Sequence, residues 1–151
     1  MGQIITQLKA FARKAPAELA PVRLSEAIAQ AMCLVGTRAH RLGAQVDIDL
    51  QPATLLVQAE PIRLGQILIN LLSNALDALA GGEGTVCIVS AAHPAGVALS
   101  VADNGPGVSE TELPRLVERF YRSPEAIAEG SGLGLAVTAQ IVEAMGGRIW
   151  A

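Results

Sequence analysis

The sequence RLGQILINLLSNALDAL, at residues 63–79, predicts a long helix that is largely buried. Its apolar residues cover most of the circumference of a helix, Pro61 suits the first turn, and Gly81–Gly82 suit the end. Five residues with charged or amide side chains interrupt this pattern, and at about 100° per residue they fall within a stripe of roughly 80°. They are Arg63, Gln66, Asn70, Asn74 and Asp77.

This polar stripe contains amides where a solvated helix face would contain lysine and glutamate. Asn70 and Asn74 lie one helical turn apart. Because an amide oxygen is a neutral ligand that a hard cation such as Mg²⁺ accepts, the pair is a candidate metal site. The alternative interpretation is that both amides only hydrogen-bond to neighbouring backbone, and the residues alone leave both open.

Around this helix the sequence predicts a mixed set of helices and strands. A helix over residues 1–14 ends before Pro16, and a second helix begins near Ser25 as its cap and ends at Gly43. Further helices are predicted at 61–80, 112–118 and 133–145, and strands at 46–50, 55–57, 85–92, 97–102 and from 148 onward. No regular βαβ alternation is present, so the pattern predicts an α+β fold with helices on one face of a mixed sheet.

A glycine-containing turn follows the last full strand directly. It reads Asp103-Asn104-Gly105-Pro106-Gly107, and its glycines allow a ligand to approach the backbone closely. Asp103 at the strand end is suited to accept a hydrogen bond from an amino group such as that of adenine. An ordinary tight turn is the alternative interpretation.

A second glycine-rich segment, GSGLGL at residues 130–135, leads into the last helix. Unpaired N–H groups and the positive end of the helix dipole at such a position favour phosphate binding. The spacing fits neither a dinucleotide fingerprint nor a Walker loop. A flexible hinge without a ligand is the alternative.

Composition excludes several classes of function. The chain has 151 residues, a net charge of −3, 51% hydrophobic residues and 17% charged residues, which argues against disorder and against a nucleic-acid surface. No stretch reaches the ~18 apolar residues of a membrane helix, and the first residues do not form a signal peptide. Cys33 and Cys87 lie in apolar segments and are expected to be reduced core thiols of a cytosolic protein.

Taken in order, these segments resemble the ATP-binding domain of sensor histidine kinases, in the superfamily that includes gyrase, the Hsp90 chaperones and the MutL repair proteins. Residues 63–79 resemble the N box, and VADNGPGV at 101–108 resembles the first glycine box. ERFYR at 118–122 resembles the F box, and GSGLGLAVTAQIVEAMGGRI at 130–149 resembles the second glycine box. The segment QLKAFARKAP with NALDAL is similar to the dicarboxylate-sensing kinases.

The resemblance implies a domain organisation and a fold. Residues 1–16 are similar to the end of a dimerisation and phosphoacceptor helix, and residues 17–151 to the catalytic domain. The implied fold is a two-layer α/β sandwich of the Bergerat type. Because the sheet of the family usually continues past Trp150, the domain is expected to be C-terminally incomplete and part of a longer kinase.

The resemblance also implies which residues bind ATP and Mg²⁺. Asn74 matches the metal-binding asparagine, Asn70 its helper near the metal and phosphates, and Asp103 the aspartate that reads adenine. A lid over the nucleotide would begin at the F box, where Arg119 or Arg122 could reach phosphate or form a surface ion pair instead. The remaining implied nucleotide-binding residues are Asp77, Gly105, Gly107, Phe120, Tyr121, Gly130, Gly132, Leu133, Gly134 and Leu135.

The implied activity is transfer of the γ-phosphoryl group of ATP to a histidine. Hydrolytic relatives place a glutamate one turn before the metal asparagine, whereas this chain has Asn70, which cannot accept a proton. Neither His40 nor His93 lies in the family's acceptor motif, so the acceptor is expected upstream of Met1. Two alternatives remain: an ATP-gated clamp or hydrolase of the same superfamily, and a nucleotide-binding module without catalysis.

The implied partners are ATP or ADP, the dimerisation and phosphoacceptor domain of a homodimeric parent kinase, and the receiver domain of a response regulator. Nucleic acid and membrane contact are not expected for these residues. The expected location is the cytoplasm, and the sequence leaves open whether the parent kinase is anchored in the inner membrane.

Overall fold

The computed structural model describes residues 18–124, 126 and 130–151, so the helix predicted over residues 1–14 lies outside the described residues. The described residues form three α-helices: α1 (Leu24–Arg41), α2 (Pro61–Ala78) and α3 (Gly134–Ala144). The same residues form five strands: β1 (Ala20–Arg23), β2 (Gln45–Leu50), β3 (Leu56–Ala59), β4 (Thr85–His93) and β5 (Gly96–Asp103). None of the helices in the described ranges is both long and apolar enough to cross a membrane.

Helix α2 lies at the centre of the molecule and contacts both α1 and α3. Its residues Leu64, Leu68, Leu72 and Leu76, spaced four apart, are all buried. Such spacing places them along one side of the helix, and burying them supplies much of the hydrophobic stabilisation of the domain. The sequence prediction for this helix is confirmed to within two residues at its end.

The main sheet has three strands in the order β2-β4-β5, with β2 and β4 parallel and β4 and β5 antiparallel. Strands β4 and β5 form a hairpin that turns between His93 and Gly96. Strands β1 and β3 form a separate antiparallel ribbon. The sheet is therefore mixed, as the sequence predicts.

The sheet packs on the helices through one face. On β4, Val86, Ile88 and Ser90 are buried, whereas Val89 between them is 43% exposed. This alternation is the pattern of a strand with one face toward a core and one toward solvent. The α+β class with helices on one side of a mixed sheet is confirmed.

Four local predictions are wrong. The helix expected at 112–118 is only a 3-10 turn, Leu113–Arg115, since Pro114 has no N–H to continue a helix. Residues 148–150 are not a strand, because no strand in the described part of the chain pairs with them. Ser25 is not a cap: α1 begins at Leu24, whose N–H donates to the Leu55 carbonyl at 3.0 Å.

The fourth concerns the thiols. Cys33 is exposed on α1 rather than in the core, and Cys87 is only half-buried; both are free. The prediction relied on the apolar neighbours of both cysteines in the sequence. Cys33, however, lies on the side of α1 opposite the buried residues of that helix. Strand β1 was not predicted at all.

Candidate functional site

The predicted site segments meet along the C-terminal half of α2, which lies next to the end of β5 and the start of α3. An added Cβ at Gly105 would lie 2.8 Å from the carbonyl oxygen of Ala78 on α2. At α3, the Asn70 amide nitrogen lies 3.3 Å from the Gly134 carbonyl oxygen. Three stretches that are far apart in sequence are therefore neighbours around α2.

Asp103 is the last residue of β5 and is paired with Val86 of β4. Its Oδ1 accepts the N–H of Gly105 at 2.9 Å, and its side chain is exposed at the strand end. One carboxylate oxygen is thus engaged by the turn, which directs the other outward. An outward carboxylate oxygen of this kind can accept a hydrogen bond from an amino group.

Asn104 fixes the end of β5, a role that the sequence reasoning missed. Its side-chain Oδ1 accepts the Thr85 N–H at 2.7 Å, and its own N–H donates to the Thr85 carbonyl at 3.2 Å. This reciprocal pair extends the β4–β5 ladder by one residue beyond Asp103. An asparagine that directly follows a strand was the available signal, since asparagine side chains often replace backbone partners.

The turn needs glycine at positions 105 and 107 for two different physical reasons. A Cβ at Gly105 would meet the Asp103 Oδ1 and the Ala78 carbonyl oxygen, both at 2.8 Å, so no side chain fits there. Gly107 has open space but a φ of +74°, a conformation that L-residues rarely adopt. Both observations support the prediction that this turn needs glycine.

Asn70 joins α2 to α3. Its amide nitrogen lies 3.3 Å from the Gly134 carbonyl oxygen and 3.2 Å from Thr138 Oγ1. The Thr138 hydroxyl in turn lies 2.8 Å from the Gly134 carbonyl oxygen. One end of the Asn70 amide therefore has a structural partner, as the alternative interpretation held, and the other end is the one a metal could use.

Asn74 lies one turn further along α2 and is half-buried. Its Oδ1 is 3.8 Å from the position that a Cβ of Gly134 would occupy. Leu133, which precedes α3, is buried, and Leu135 is half-buried. The two asparagines and the first turn of α3 thus lie together, as the sequence predicts.

The F box contacts the second glycine box through backbone atoms. The Phe120 N–H donates to the Gly132 carbonyl at 2.9 Å. Phe120 has a φ of +64°, and Gly132 has a φ of +69°. A Cβ at Gly132 would lie 2.7 Å from the Phe120 carbonyl carbon and 2.8 Å from the Tyr121 carbonyl oxygen. This backbone contact between Phe120 and Gly132 joins the two ends of the segment between the F box and the second glycine box. The Phe120 side chain is 70% exposed.

Tyr121 is anchored to the segment that follows the first glycine box. Its hydroxyl donates to Glu112 Oε1 at 3.0 Å, and the Arg115 guanidinium lies 4.2 Å from its ring centroid. Glu112 Oε2 accepts the Ser109 N–H and hydroxyl at 3.1 and 2.7 Å, an arrangement resembling a capping box. Hydrogen bonds from Ser109, Ser123 and Tyr121 lower the pKa of Glu112 to about 2, so it is ionised at neutral pH.

A cavity of about 370 Å³ lies between this segment and the first glycine box. It is lined by Pro106, Gly107, Val108, Ser109, Glu112 and Pro124. It adjoins the turn after Asp103 and is open to solvent.

Asp77 pairs with Arg38 of α1, and the two side chains are each 36% exposed. This ion pair joins the C-terminal ends of α1 and α2. Arg63, at the other end of the polar stripe, pairs with Glu60 at 2.8 Å. The predicted nucleotide-binding role of Asp77 stays a prediction, and Arg38 is a partner that the sequence did not reveal.

The chemistry of the site suits a nucleotide with a hard cation. Within the described ranges no three His, Cys, Asp or Glu side chains group into a metal site. The amide oxygens of Asn70 and Asn74 are the neutral ligands next to α3, and they fit Mg²⁺ bound to phosphate oxygens and water. Asp103 lies beyond the end of the same helix, so a carboxylate and two amides border one surface.

Residues 59–151 match the family described as histidine kinase-, DNA gyrase B- and HSP90-like ATPase. The chain is 40% identical over 151 residues to the C4-dicarboxylate transport sensor protein DctB of Pseudomonas aeruginosa, covering 99% of this chain and 24% of that protein. It thus spans about a quarter of the length of this relative.

Two of the similar solved structures cover nearly all of this chain. Full-length ShkA in complex with AMPPNP is 31% identical, with a TM-score of 0.78, over 96% of this chain and 30% of that one. The histidine kinase ThkA in complex with the response regulator TrrA is 25% identical, with a TM-score of 0.81, over 99% of this chain and 42% of that one.

Proposed function

This chain belongs to the histidine kinase-, DNA gyrase B- and HSP90-like ATPase family, and we propose that it is the ATP-binding catalytic domain of a two-component sensor histidine kinase. The observation that carries the proposal is the convergence of three motifs on the C-terminal half of α2, from Asn70 to Ala78. Asp103, the amides of Asn70 and Asn74, and the start of α3 border one surface. The similarity to ShkA with AMPPNP supports a nucleotide at this position.

Each group has a distinct role in the proposal. The free oxygen of Asp103 accepts a hydrogen bond from the adenine amino group. Asn70 and Asn74 contribute amide oxygens to Mg²⁺, which when bound neutralises charge on the phosphates. The N–H groups at the start of α3 bind phosphate oxygens, favoured by the helix dipole.

The amide at position 70 decides between transfer and hydrolysis. An asparagine cannot remove a proton from water, so Asn70 positions its neighbours without acting as a general base. Catalysis by this domain is then positioning and charge stabilisation, and the nucleophile comes from a protein side chain. This favours the kinase over the superfamily's hydrolases.

The acceptor histidine is neither of the two in this chain. His93 lies at the hairpin end of β5, whereas Asp103 is at the other end of this strand of eight residues. At about 3.3 Å per residue the two ends are roughly 20–25 Å apart, so His93 lies at the end of the hairpin remote from the proposed site. His40 is exposed in the last turn of α1, outside the three converging segments.

The proposed partners follow from this arrangement. The acceptor histidine belongs to a dimerisation and phosphoacceptor domain of a homodimeric kinase, which passes the phosphoryl group to a response regulator. The ThkA–TrrA complex supports such a regulator as the partner. We place this activity in the cytoplasm.

The chain alone is expected to neither phosphorylate itself nor turn over ATP appreciably. After incubation with γ-labelled ATP and Mg²⁺, no acid-labile label should remain on the protein, and released phosphate should stay at the no-enzyme level. A dimerisation hairpin from a related kinase, added in trans, should become labelled on its acceptor histidine. Stable label on His40 or His93, or hydrolysis that Asn70→Ala abolishes, would contradict the proposal and favour a hydrolase.

A further inference from the structure

We propose that Thr138 is a positioning residue: through its hydroxyl it sets the orientation of the Asn70 amide, so that Asn70 Oδ1 faces the bound metal and phosphates. The inference rests on the proposed function, since it concerns the same ATP·Mg²⁺ site. Thr138 lies on α3 in the second turn of the helix, away from the glycines that mark the site in the sequence.

The direction of each hydrogen bond follows from which groups can donate. The Gly134 carbonyl oxygen only accepts, and it lies 3.3 Å from one end of the Asn70 amide. The group facing it must therefore be the NH₂ of Asn70. Thr138 gives its single hydroxyl proton to this same carbonyl at 2.8 Å, which leaves its oxygen lone pairs to accept from Asn70 at 3.2 Å.

Thr138 thus supplies the shorter of the two contacts to the Asn70 amide nitrogen. The amide is planar, so when its nitrogen contacts the Gly134 carbonyl and the Thr138 hydroxyl, its oxygen points away from these two contacts. Without the hydroxyl, the amide nitrogen keeps, among the hydrogen bonds of the described residues, the longer contact of 3.3 Å to the Gly134 carbonyl, so the preference for this orientation is weakened. In the flipped state the NH₂ group would face the cation, and it cannot serve as a ligand.

Burial makes the hydroxyl hard to replace by water. Thr138 is 0% exposed, and Ala136, Ala139 and Ile141 on the same helix are also buried. Asn70 itself is only half-buried. The orienting group therefore lies in the core, where packing holds it in place, and the oriented group lies at the margin of the core.

The experiment compares Thr138→Val, which keeps the shape without the hydroxyl, with Thr138→Ser, which keeps the hydroxyl. Calorimetry on the 151-residue chain measures the ATP dissociation constant with excess Mg²⁺ and with EDTA. For Thr138→Val we expect the gain in affinity from Mg²⁺ to fall roughly tenfold, with the EDTA value within twofold of wild type. Thr138→Ser should retain most of the gain.

A double-mutant comparison excludes a general packing defect. If Thr138 acts through Asn70, Asn70→Ala and Asn70→Ala/Thr138→Val should lose the same share of the Mg²⁺-dependent gain. Additive losses, an unchanged gain in Thr138→Val, or an equal weakening with EDTA would each overturn the inference. Failure of the proposed function is distinguishable from these, because then the wild-type chain would bind no ATP at all.

Discussion

Asp103→Asn is expected to weaken ATP binding by roughly 10- to 100-fold, the loss of about 1.5–3 kcal/mol that a charged hydrogen-bond acceptor contributes. It should also remove most of the preference for ATP over GTP. The reason lies in the single N–H that already contacts this side chain, from Gly105 at 2.9 Å.

In the proposed complex one carboxylate oxygen of Asp103 accepts the Gly105 N–H, as in the structure, and the other accepts the adenine amino group. An asparagine has only one oxygen, and the Gly105 N–H holds it. Its NH₂ would then face the adenine amino group, donor against donor. The same NH₂ matches the carbonyl oxygen that guanine carries at this position, so GTP should lose less affinity than ATP.

Calorimetric titration with both nucleotides measures this effect. Asp49→Asn is the matched control, because it makes the same chemical change on β2, where the carboxylate only accepts from Gln51 at 2.9 Å. The control should bind both nucleotides as the wild type does. Equal ATP affinity in Asp103→Asn and wild type would show that Asp103 does not read the base.

Gly132→Ala is expected to destabilise the domain by about 3 kcal/mol and to lower nucleotide affinity at least tenfold. Part of the cost is the positive φ, about 1–2 kcal/mol for a residue with a Cβ. The rest comes from a Cβ 2.7–2.8 Å from backbone atoms of Phe120 and Tyr121, which cannot give way as a flexible side chain would. The F box would have to move away from the start of α3.

Thermal melts with and without ATP·Mg²⁺ check this result, since about 3 kcal/mol corresponds to roughly 6–12 °C in a domain of this size. Gly146→Ala separates the two causes, because Gly146 has a similar φ of +78° but open space around its Cβ position. It should show only the conformational cost and unchanged affinity. If both variants behave alike, the contact between the F box and the second glycine box has no role in binding.

The sequence predicted those elements whose signals are local. The buried side of α2 and its amides follow from helical periodicity, and the β4–β5 hairpin follows from alternation around a His93–Gly96 turn. The helix and the hairpin needed no knowledge of distant contacts. The glycines did, because Gly105 and Gly132 lack space for a side chain only where Ala78 and Phe120 approach them.

What the sequence missed depends on partners that are distant along the chain. Strand β1 contains Pro21 and shows no alternation, and only its pairing with β3 defines it. In the sequence, Thr138 is one more small residue in an apolar helix. Its contact with the Asn70 amide is visible only in the structure. Likewise, nothing in ERFYR predicts the left-handed φ of Phe120. This φ occurs together with the hydrogen bond from the Phe120 N–H to the Gly132 carbonyl.

The surface formed by the C-terminal half of α2, the end of β5 and the start of α3 is proposed to bind ATP together with Mg²⁺. Calorimetric titration of the wild-type chain with ATP, first in Mg²⁺ and then in EDTA, measures this binding. We expect one nucleotide per chain, tighter binding in Mg²⁺, and loss of that Mg²⁺-dependent gain in Asn74→Ala. A wild-type chain that is folded by circular dichroism yet gives no saturable heat with ATP in either buffer would contradict the claim.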